Sequence, residues 1–488
     1  MRTALINPPS RGELHFTKPS FPLGIGYIKA MCELRNISCD IYDFSYTTLT
    51  DDELCSKYNL DDYDLIGFST FSVNFRDTMM LAKKVKNNKN AIVLGGHHAT
   101  LLGEKILADF DFVDYILMGY SENSFIDLVR FHQGKHVLRD ISGLCYRNES
   151  MLLRNEIKYD EFDIENLPIP NRDNIIYDYP SDYMDVNVLS ISASRGCVYS
   201  CSFCVNCRNP HWLSRNVSSV VDEVIQQCDE YRYNCIQFVD CNFFIDCTWA
   251  VDIIREINYS YPGIKIELHA RSDQVVKHET EIEYLLRNFN VQIFMGIESN
   301  STKALQRYGK ETSPEINQRA INILKKYYPN ITVYLILFDS LTTLEELRET
   351  FDFLKRNHLF SYVNARSLRQ EMIVLYGTDY FDKYSEYYSV DIHSRSTPIY
   401  VNTRVQILME CYSLFFHNYD DRIREKLAHI IKSKNEVDDG DYKFFNVIYF
   451  YVFEFFLNMV ELFSDCDYSL FCTTGLGKKL EEMLAKYE

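Results

Sequence analysis

Three cysteines within eight residues are the strongest chemical signal in this sequence of 488 residues. Cys197, Cys201 and Cys204 follow an apolar run at residues 188–193 and have the spacing C-x3-C-x2-C. Thiolates are soft ligands that suit iron-sulfur clusters or zinc. A four-iron cluster ordinarily takes four cysteines, so three would leave one iron open for a substrate or cofactor. The alternative is a zinc site, to which Cys207 can supply the fourth ligand.

Other reactive side chains stand just after predicted strands, downstream of the cysteines. An arginine at such a place is suited to a carboxylate or phosphate. A carboxylate there can pair with an ammonium group or accept hydrogen bonds from hydroxyls. Taken singly, such residues more often serve as helix caps or ion-pair partners. The residues concerned are Asp240, Cys241, Arg271, Glu298 and Ser299.

Alternating strands and helices must position these residues. Strands separated by helices predict an incomplete barrel of six βα units, with its site at the carboxyl ends of the strands. Thr343, followed by Glu345 and Glu346, marks the start of the last of these helices. The predicted strands are Val188–Ala193, Ile236–Val239, Lys265–His269, Gln292–Ile297, Ile331–Phe338 and Tyr362–Arg366, and the helices are 217–231, 248–258, 279–289, 313–326 and 344–357.

The first 134 residues show a similar alternation. They predict a doubly wound parallel sheet covered by helices on both faces, with a ligand at the carboxyl ends of its strands. A connector with a hairpin around residues 148–150 follows, and the C-terminal segment predicts a helical cap. The predicted domains are 1–134, 135–187, 188–370 and 371–488. The predicted strands of the first domain are Thr3–Asn7, Cys39–Tyr42, Leu65–Ser69, Ala91–Leu94 and Tyr115–Met118, and its helices are Gly24–Arg35, Ser72–Lys86, Thr100–Phe110 and Glu122–Gln133.

Composition narrows the class of protein. A net charge of −18 argues against a general binder of nucleic acid or of anionic membranes. Fifteen cysteines without a secretory signal predict a reducing compartment, the cytoplasm, rather than a disulfide framework. The apolar stretch at 444–463 contains Asn446, Glu454, Asn458 and Glu461, so it predicts a buried helix rather than a membrane span.

The cysteine motif resembles the cluster loop of radical S-adenosylmethionine (SAM) enzymes. Ser194-Arg195-Gly196 precedes it, and Phe203 stands before the last cysteine. The resemblance implies that Cys197, Cys201 and Cys204 hold a [4Fe-4S] cluster. It further implies contacts to SAM from Phe203, Asp240, Arg271, Glu298 and Ser299, the last two within a G-I-E-S motif.

Cys241 departs from the family pattern, because relatives commonly have a second acid at this place. Some radical SAM enzymes use a cysteine to donate a hydrogen atom to a substrate radical, and this is one interpretation of Cys241. The more ordinary interpretation is a buried apolar filler.

The N-terminal half resembles the cobalamin-binding domain of one branch of these enzymes. The matching segments are Leu5-Ile6-Asn7-Pro8-Pro9, Pro22-Leu23-Gly24-Ile25-Gly26-Tyr27, Asp64-Leu65-Ile66-Gly67-Phe68-Ser69 and Val93-Leu94-Gly95-Gly96-His97-His98. The resemblance implies that the corrin lies across the strand ends. The implied contact residues are Pro8, Pro9, Gly24, Ser69, Gly95, Gly96, Gly119 and Glu122.

The D-x-H-x-x-G motif, which supplies a histidine ligand to cobalt in many cobalamin proteins, is absent. Asp391 and His393 have Ser396 where the glycine would fall. We therefore expect no histidine from this motif on the cobalt. His97 and His98 are expected to shape the loop or to contact the periphery of the cofactor.

The resemblance implies a cobalamin-dependent radical SAM C-methyltransferase. In such enzymes a 5′-deoxyadenosyl radical activates an unactivated carbon, which then takes a methyl group from methylcobalamin. The same scaffold also supports cyclisation, rearrangement or peptide epimerisation, and a non-enzymatic cobalamin or metal regulator is the remaining alternative. The implied partners are a small-molecule or peptide substrate and an external electron donor of flavodoxin or ferredoxin type, with no nucleic acid and no membrane.

Overall fold

The computed structural model describes residues 1–11, 20–149, 151–173, 175–178, 187–205, 211–328, 331–359, 368, 371–389, 397–415 and 439–462. Three features of the sequence lie outside the described residues: Cys207, the predicted strand at 362–366, and the segment from Asp391 to Ser396.

The first 178 residues build one eight-stranded sheet, in the order β7-β6-β5-β4-β3-β1-β2-β8. Neighbouring strands are parallel except at β5–β6 and β6–β7, which are antiparallel. The strands are β1 Thr3–Asn7, β2 Cys39–Asp43, β3 Leu65–Ser69, β4 Ala91–Gly95, β5 Tyr115–Leu117, β6 Leu144–Asn148, β7 Met151–Arg154 and β8 Ile175–Tyr177. The helices are α1 Leu23–Leu34, α2 Asp51–Tyr58, α3 Phe75–Val85, α4 His97–Asp109 and α5 Glu122–His132.

Helices cover both faces of this sheet because its central strands are apolar on both sides. In β1, Ala4 and Ile6 belong to one buried cluster, whereas Leu5 belongs to the cluster on the opposite face. Continuous apolar strands of this kind are typical of parallel sheets buried on both faces. The predicted doubly wound sheet is confirmed.

Two features of this half differ from the sequence-based expectation. The short helix α2 was not predicted, although Thr50 and Glu53 form a capping box at its start. Residues 135–187 were predicted as a connector with a hairpin. The hairpin forms as β6 and β7, but it extends the first sheet, and β8 pairs with the opposite edge. The predicted domain boundaries stay predictions.

The second half contains five parallel strands in the order β15-β14-β13-β12-β9. Each new strand lies beside the preceding one, as in a singly wound barrel, and the isolated bridge between Phe338 and Glu371 continues the parallel pairing. The strands are β9 Val188–Ile191, β12 Cys235–Phe238, β13 Lys265–Arg271, β14 Val291–Glu298 and β15 Val333–Leu335, with a short antiparallel pair, β10 Ser194–Arg195 and β11 Leu213–Ser214. The helices are α6 Val217–Tyr231, α7 Cys247–Ser260, α8 Ser272–Lys277, α9 Glu279–Asn288, α10 Thr302–Arg307, α11 Pro314–Lys325 and α12 Leu344–Arg356.

Alternation along β14 shows how the strands present their polar residues. Val291, Ile293, Met295 and Ile297 are buried in the core, and the residues between them are less buried. Since successive side chains of a strand point to opposite faces, Glu298 lies on the face away from the core. The predicted capping box at Thr343 is also present, where Thr343 and Glu346 begin α12.

The described residues of the C-terminal segment are mainly helical, as predicted. It contains α13 Asp379–Tyr384, the short strand pair β16 Tyr388–Ser389 and β17 Thr397–Pro398, α14 at 403–415, and α15 Asp439–Leu462.

Helix α15 packs on α12. The rings of Phe351 and Phe450 stack with centroids 4.0 Å apart, and Lys355 pairs with Glu454 at 2.6 Å. The apolar stretch therefore forms a helix with one face buried against the barrel, whereas Tyr451 and Leu462 on this helix are exposed. Within the described ranges, no helix is both long and apolar enough to cross a lipid bilayer.

Candidate cofactor site between the two sheets

A cavity of about 550 Å³ lies where the strand ends of the first sheet meet the start of the barrel. Its size is within the range of small-molecule and cofactor sites. The wall from the first sheet includes Gly24, Ser69, Gly95, Gly96, Gly119 and Glu122. The wall from the barrel includes Ser192, Ser194, Arg195, Gly196, Val239, Asp240 and Cys241. Both halves of the chain therefore contribute to one site.

Six of the eight residues predicted to contact cobalamin line this cavity. The exceptions are Pro8 and Pro9, which are buried after β1 and are not among the lining residues. The cavity wall therefore gives no support to the predicted contacts from these two prolines.

The glycines of the cavity are of two kinds. Gly96 has φ +94°, and a Cβ there would lie 2.6 Å from the carbonyl oxygen of Thr70, so the backbone itself requires glycine. Gly24 has no atom within 4 Å of the place where a Cβ would lie. No contact within the protein explains this glycine, and a bound ligand would use the space. This open cradle fits a large cofactor such as a corrin.

His97 and His98 have different surroundings. His97 lines the cavity, and burial lowers its pKa. The Nδ1 atom of His98 lies 3.0 Å from Oγ of Ser72, and its ring packs on Phe75 with centroids 4.2 Å apart. Only His97 is therefore placed for the peripheral contact that we expected of this pair.

The three motif cysteines lie together in the loop after β10. Cys197 and Cys201 are buried, and Cys204 is half-buried. The loop is held by the rest of the barrel, since the amide of Ser202 donates to Tyr308 O at 2.8 Å and its carbonyl accepts from Tyr380 N at 2.8 Å. In the described part of the chain, no cysteine forms a disulfide.

Two cations lie close to the cysteines of the loop. Burial raises the pKa of the Cys197 thiol, and the cations Arg271 and Lys310 oppose that rise. Nη1 of Arg271 donates to Sγ of Cys201 at 3.1 Å. Three thiol ligands suit a [4Fe-4S] cluster, and the two cations would balance its negative charge. The residues therefore fit the group.

Arg271 supports the loop more directly than we expected. Its Nε donates to Asp273 at 2.8 Å, its Nη2 donates to the carbonyl of Lys310, and its guanidinium lies 3.8 Å from the ring centre of Tyr199. Each guanidinium nitrogen therefore has a protein partner. The predicted contact to SAM stays a prediction, and the observed position is beneath the cluster loop.

The G-I-E-S motif places its two polar residues differently. Glu298 has φ +58° at a bulge in β14, and its Oε1 accepts from Nζ of Lys310 at 2.8 Å. Ser299 is 4% exposed, and its hydroxyl lies 3.1 Å from that of Thr350. Glu298 thus faces the cluster side, whereas the hydroxyl of Ser299 is bonded inside the protein.

Lys310 was missed by sequence reasoning. It follows Gly309, whose φ is +59° and where a Cβ would lie 3.4 Å from the amide nitrogen of Ser202. The Gly309-Lys310 pair thus sits directly against the cluster loop. The sequence does show a glycine followed by a lysine after α10. No local pattern, however, indicates that this pair contacts residue 202.

Asp240 connects two strand ends. Its Oδ2 accepts from the amide of Ala193 at 3.1 Å, and its Oδ1 accepts from the hydroxyl of Ser194. Burial raises the pKa of Asp240 to about 6 despite these hydrogen bonds. The carboxyl group therefore holds the backbone that leads into the cluster loop.

Cys241 faces the cavity. The side chain is exposed and belongs to the cavity wall, so a buried filler does not describe it. Desolvation within the cavity, aided by Cys197 and Cys204, raises the pKa of its thiol to about 12. The S–H bond is therefore kept at neutral pH, as hydrogen-atom donation would require.

Phe203 lies among aromatic residues beside the loop. Its ring contacts that of Tyr308 edge-to-face, with centroids 5.9 Å apart, in a cluster that includes Met372 and Tyr380. Its predicted place near an adenine stays a prediction.

Arg195 joins the two halves of the chain at the cavity, although sequence reasoning gave it no separate role. Its Nη1 lies 2.6 Å from Oε1 of Glu122, and the other carboxylate oxygen of Glu122 is buried without a hydrogen bond. The guanidinium lies 5.2 Å from the ring centre of Tyr27, 5.1 Å from that of Tyr120 and 5.0 Å from that of Phe162. This Arg195 box places a residue of the cluster loop inside the first domain.

Comparisons with known proteins agree with this architecture. Residues 15–129 match the B12 binding domain, and residues 191–354 match the radical SAM superfamily. The chain therefore combines a B12 binding domain with a domain of the radical SAM superfamily, which is the domain arrangement that the sequence predicted. The two matches confirm the predicted cofactors of this class: cobalamin, a [4Fe-4S] cluster and SAM.

Individual relatives include methyltransferases and cyclases. The chain is 27% identical over 366 residues to an uncharacterized methyltransferase of Pyrococcus horikoshii, covering 73% of this chain and 78% of that protein. It is 24% identical over 287 residues to an anaerobic magnesium-protoporphyrin IX monomethyl ester cyclase of Cereibacter sphaeroides, covering 56% of this chain and 46% of the cyclase.

Among solved structures, the cobalamin-dependent SAM radical enzyme OxsB, with aqua-cobalamin and SAM bound, has a similar fold. The TM-score is 0.75 at 17% identity, over 100% of this chain and 75% of OxsB. The likeness extends through the C-terminal helices, and the predicted fold class is confirmed.

Proposed function

We propose that the enzyme transfers a methyl group to an unactivated carbon of its substrate. This proposal rests on one cavity that both halves of the chain line. Gly24 and Gly95 line it from the first sheet, and Asp240 and Cys241 line it from the barrel. The similarity to the methyltransferase of Pyrococcus horikoshii supports it. When bound, the reduced cluster and SAM supply a 5′-deoxyadenosyl radical that activates the carbon, and cobalamin supplies the methyl group.

The residues of the chain bind and orient the cofactors and the substrate, and they exclude water. Cys197, Cys201 and Cys204 would hold the cluster, and Arg271 would fix the loop that carries them through its hydrogen bond to Cys201. The carboxylate of Glu298 would accept hydrogen bonds from the ammonium or ribose hydroxyls of SAM, beside its present partner Lys310.

The apolar side of the cavity protects reactive groups from water. Leu23, Phe68, Val93 and Val239 contribute to its wall. An apolar lining of this kind disfavours water around bound cofactors and strengthens the polar contacts made there.

The first experiment is an anaerobic purification with cobalamin supplied, followed by cobalt and iron assays. The purified enzyme then receives a chemical one-electron reductant and SAM labelled in its methyl group, and 5′-deoxyadenosine and the label on extracted cobalamin are measured. We expect about one cobalt and about four irons per chain, with label on the cobalamin. Absence of cobalt after reconstitution would defeat methyl transfer, and absence of SAM cleavage would defeat the radical reaction itself.

A second candidate is a radical reaction that ends in hydrogen donation from Cys241. The thiol is protonated and faces the cavity, as such a donor must. The S–H bond would break to form a C–H bond on the substrate radical, and an external donor would return one electron and one proton to the sulfur. Peptide epimerisation is a reaction in which one hydrogen atom is removed and another is donated in this way.

Replacing Cys241 separates the two candidates. Cys241→Ala should leave the label on cobalamin unchanged if methyl transfer is the reaction. If Cys241 is the donor, the variant should still cleave SAM but should form no epimerised product, because the substrate radical has no S–H bond from which to take a hydrogen atom. Cyclisation, which the similarity to the magnesium-protoporphyrin cyclase suggests, would give product in both proteins without a label.

We further propose a small-molecule or peptide substrate and an external one-electron donor of flavodoxin or ferredoxin type. The cytoplasm suits both the cluster and the cysteines, since it keeps thiols reduced.

A further inference from the structure

Three metal-ligating side chains meet on the outer wall of the barrel, away from the cluster loop. Cys247 is the first residue of α7, His278 lies between α8 and α9, and Glu281 is in the first turn of α9. One ligand atom from each residue lies within 4.8 Å of the other two. We propose that these residues bind a zinc ion, here named the wall site.

Without a metal, this group of side chains leaves a polar atom unsatisfied. The Nε2 atom of His278 is buried and makes no hydrogen bond. Cys247 is 6% exposed, so its sulfur is also shielded from water. Buried polar groups in proteins are nearly always bonded, and a metal ion would satisfy both atoms at once.

The charges facing the site come from its own and the adjoining elements. The carboxylates of Asp246 and Glu281 lie near the thiol of Cys247, and the ammonium of Lys277 opposes them. Asp246 also caps α7 by accepting from Trp249 N at 3.1 Å. With Cys247 as a thiolate, the near charges sum to a negative value, which favours a divalent cation.

The donor set selects the kind of metal. One thiolate, one imidazole and one carboxylate suit zinc, whereas calcium and magnesium require oxygen ligands. A zinc ion with three protein ligands takes water as its fourth. In a tetrahedral zinc site, neighbouring donor atoms lie about 3.2 to 3.8 Å apart, and since the three atoms lie within 4.8 Å of one another, each pair needs to close by at most about 1.6 Å. Glu281 is exposed, and rotation of its side chain can supply that movement.

The wall site would hold the loop that carries two cavity residues. Residues 239–246 join β12 to α7, and besides Val239 they include the cavity residues Asp240 and Cys241. Phe243 and Phe244 of this loop are fully buried, and the amide of Phe243 donates to His269 O at 3.0 Å. A zinc ion at Cys247 would therefore tie the end of the cavity loop to the segment that follows Arg271. Its role is structural, and it does not depend on the reaction proposed above.

The test uses the full chain with its cluster and cobalamin reconstituted. The protein is incubated with zinc, and loosely bound metal is removed with a mild chelator. Elemental analysis counts zinc, and X-ray absorption at the zinc edge identifies its ligands without interference from iron or cobalt. We expect about one zinc per chain, with one sulfur at about 2.3 Å and nitrogen or oxygen at about 2.0 to 2.2 Å.

Variants assign the zinc to the wall site. Cys247→Ser and His278→Gln should each reduce retained zinc at least tenfold while the chain keeps about four irons. Cys228→Ser, which changes a buried cysteine of the neighbouring helix α6, is the matched control and should retain the zinc. If Cys247→Ser and His278→Gln fail to fold, Glu281→Gln at the exposed ligand tests the wall site instead. This variant should weaken zinc binding at least tenfold.

Three results would overturn the proposal. The wild-type chain could retain no zinc, or the zinc could show three sulfur ligands, which would place it in the cluster loop. Retention of zinc by Glu281→Gln and by a folded Cys247→Ser would exclude these ligands.

Discussion

Loss of the ion pair between Arg195 and Glu122 should weaken the contact between the two halves of the chain. In Arg195→Met, the apolar stem is kept and the charge is lost, so Glu122 is left with both carboxylate oxygens buried and unbonded. Breaking one partner of a buried ion pair typically costs about 3 to 5 kcal/mol. Glu122→Gln should cost a similar amount, because it leaves the charge of Arg195 among aromatic rings without its partner.

The double variant gives the sharper measurement. In Arg195→Met/Glu122→Gln neither charge remains, so we expect the loss to be smaller than the sum of the two single losses by about 2 kcal/mol or more. The assay is anaerobic denaturant unfolding, with the retained cobalt and iron counted for each variant.

A surface pair provides the control. Arg255 pairs with Asp252 at 2.9 Å, and Arg255 is 51% exposed. Arg255→Met should cost less than about 1 kcal/mol. The reasoning is refuted if the Arg195 and Glu122 variants fall within that limit, or if their losses add without coupling.

Further predictions concern the cavity and the cluster side. Burial raises the pKa of Asp240 from 3.8 to about 6, so its contribution to stability is complete below about pH 4 and is lost as pH rises through 6. The loss should reach about 3 kcal/mol in pH-dependent unfolding, and Asp240→Asn should remove that dependence. Gly24→Ala should stabilise the cofactor-free protein by about 0.4 to 1 kcal/mol but weaken cobalamin binding, since the new methyl group occupies the ligand's space. Gly96→Ala should instead destabilise the protein itself by about 1 to 3 kcal/mol, because residue 96 has a positive φ and a Cβ there would meet the backbone of Thr70. Calorimetry with and without cobalamin distinguishes the two glycine variants. Equal effects of both variants on stability and on cobalamin binding would contradict this prediction. Glu298→Gln should weaken SAM binding about tenfold, measured by equilibrium dialysis, and unchanged affinity would remove this carboxylate from the SAM site.

Regular elements were predictable because their signals are local. The strands Thr3–Asn7 and Leu65–Ser69 and the helix Val217–Tyr231 have the bounds that their apolar patterns predict. The cysteine spacing was equally local, since three ligands within eight residues need no knowledge of the fold.

Contacts between distant residues were not predictable in the same way. Arg195 and Glu122 are 73 positions apart, and nothing near either residue indicates the other. Arg271 shows a related limit: β13 runs directly into α8, and Arg271 is the cap residue between them. This junction turns the guanidinium beneath the cluster loop instead of leaving it open to a ligand, and the pattern of apolar residues does not report such a turn.

The strand β8 determines when the first sheet is complete. It covers the edge of β2, and Asp178 just after it accepts hydrogen bonds from Lys57 at 2.7 Å and from Tyr58 at 2.6 Å. A fragment that stops at residue 134 would expose the edges of both β2 and β5, and such edges promote aggregation. During synthesis on the ribosome, the sheet can close only once residue 178 has emerged, shortly before the first barrel strand. A truncation or gene fusion that respects the fold therefore belongs after residue 178.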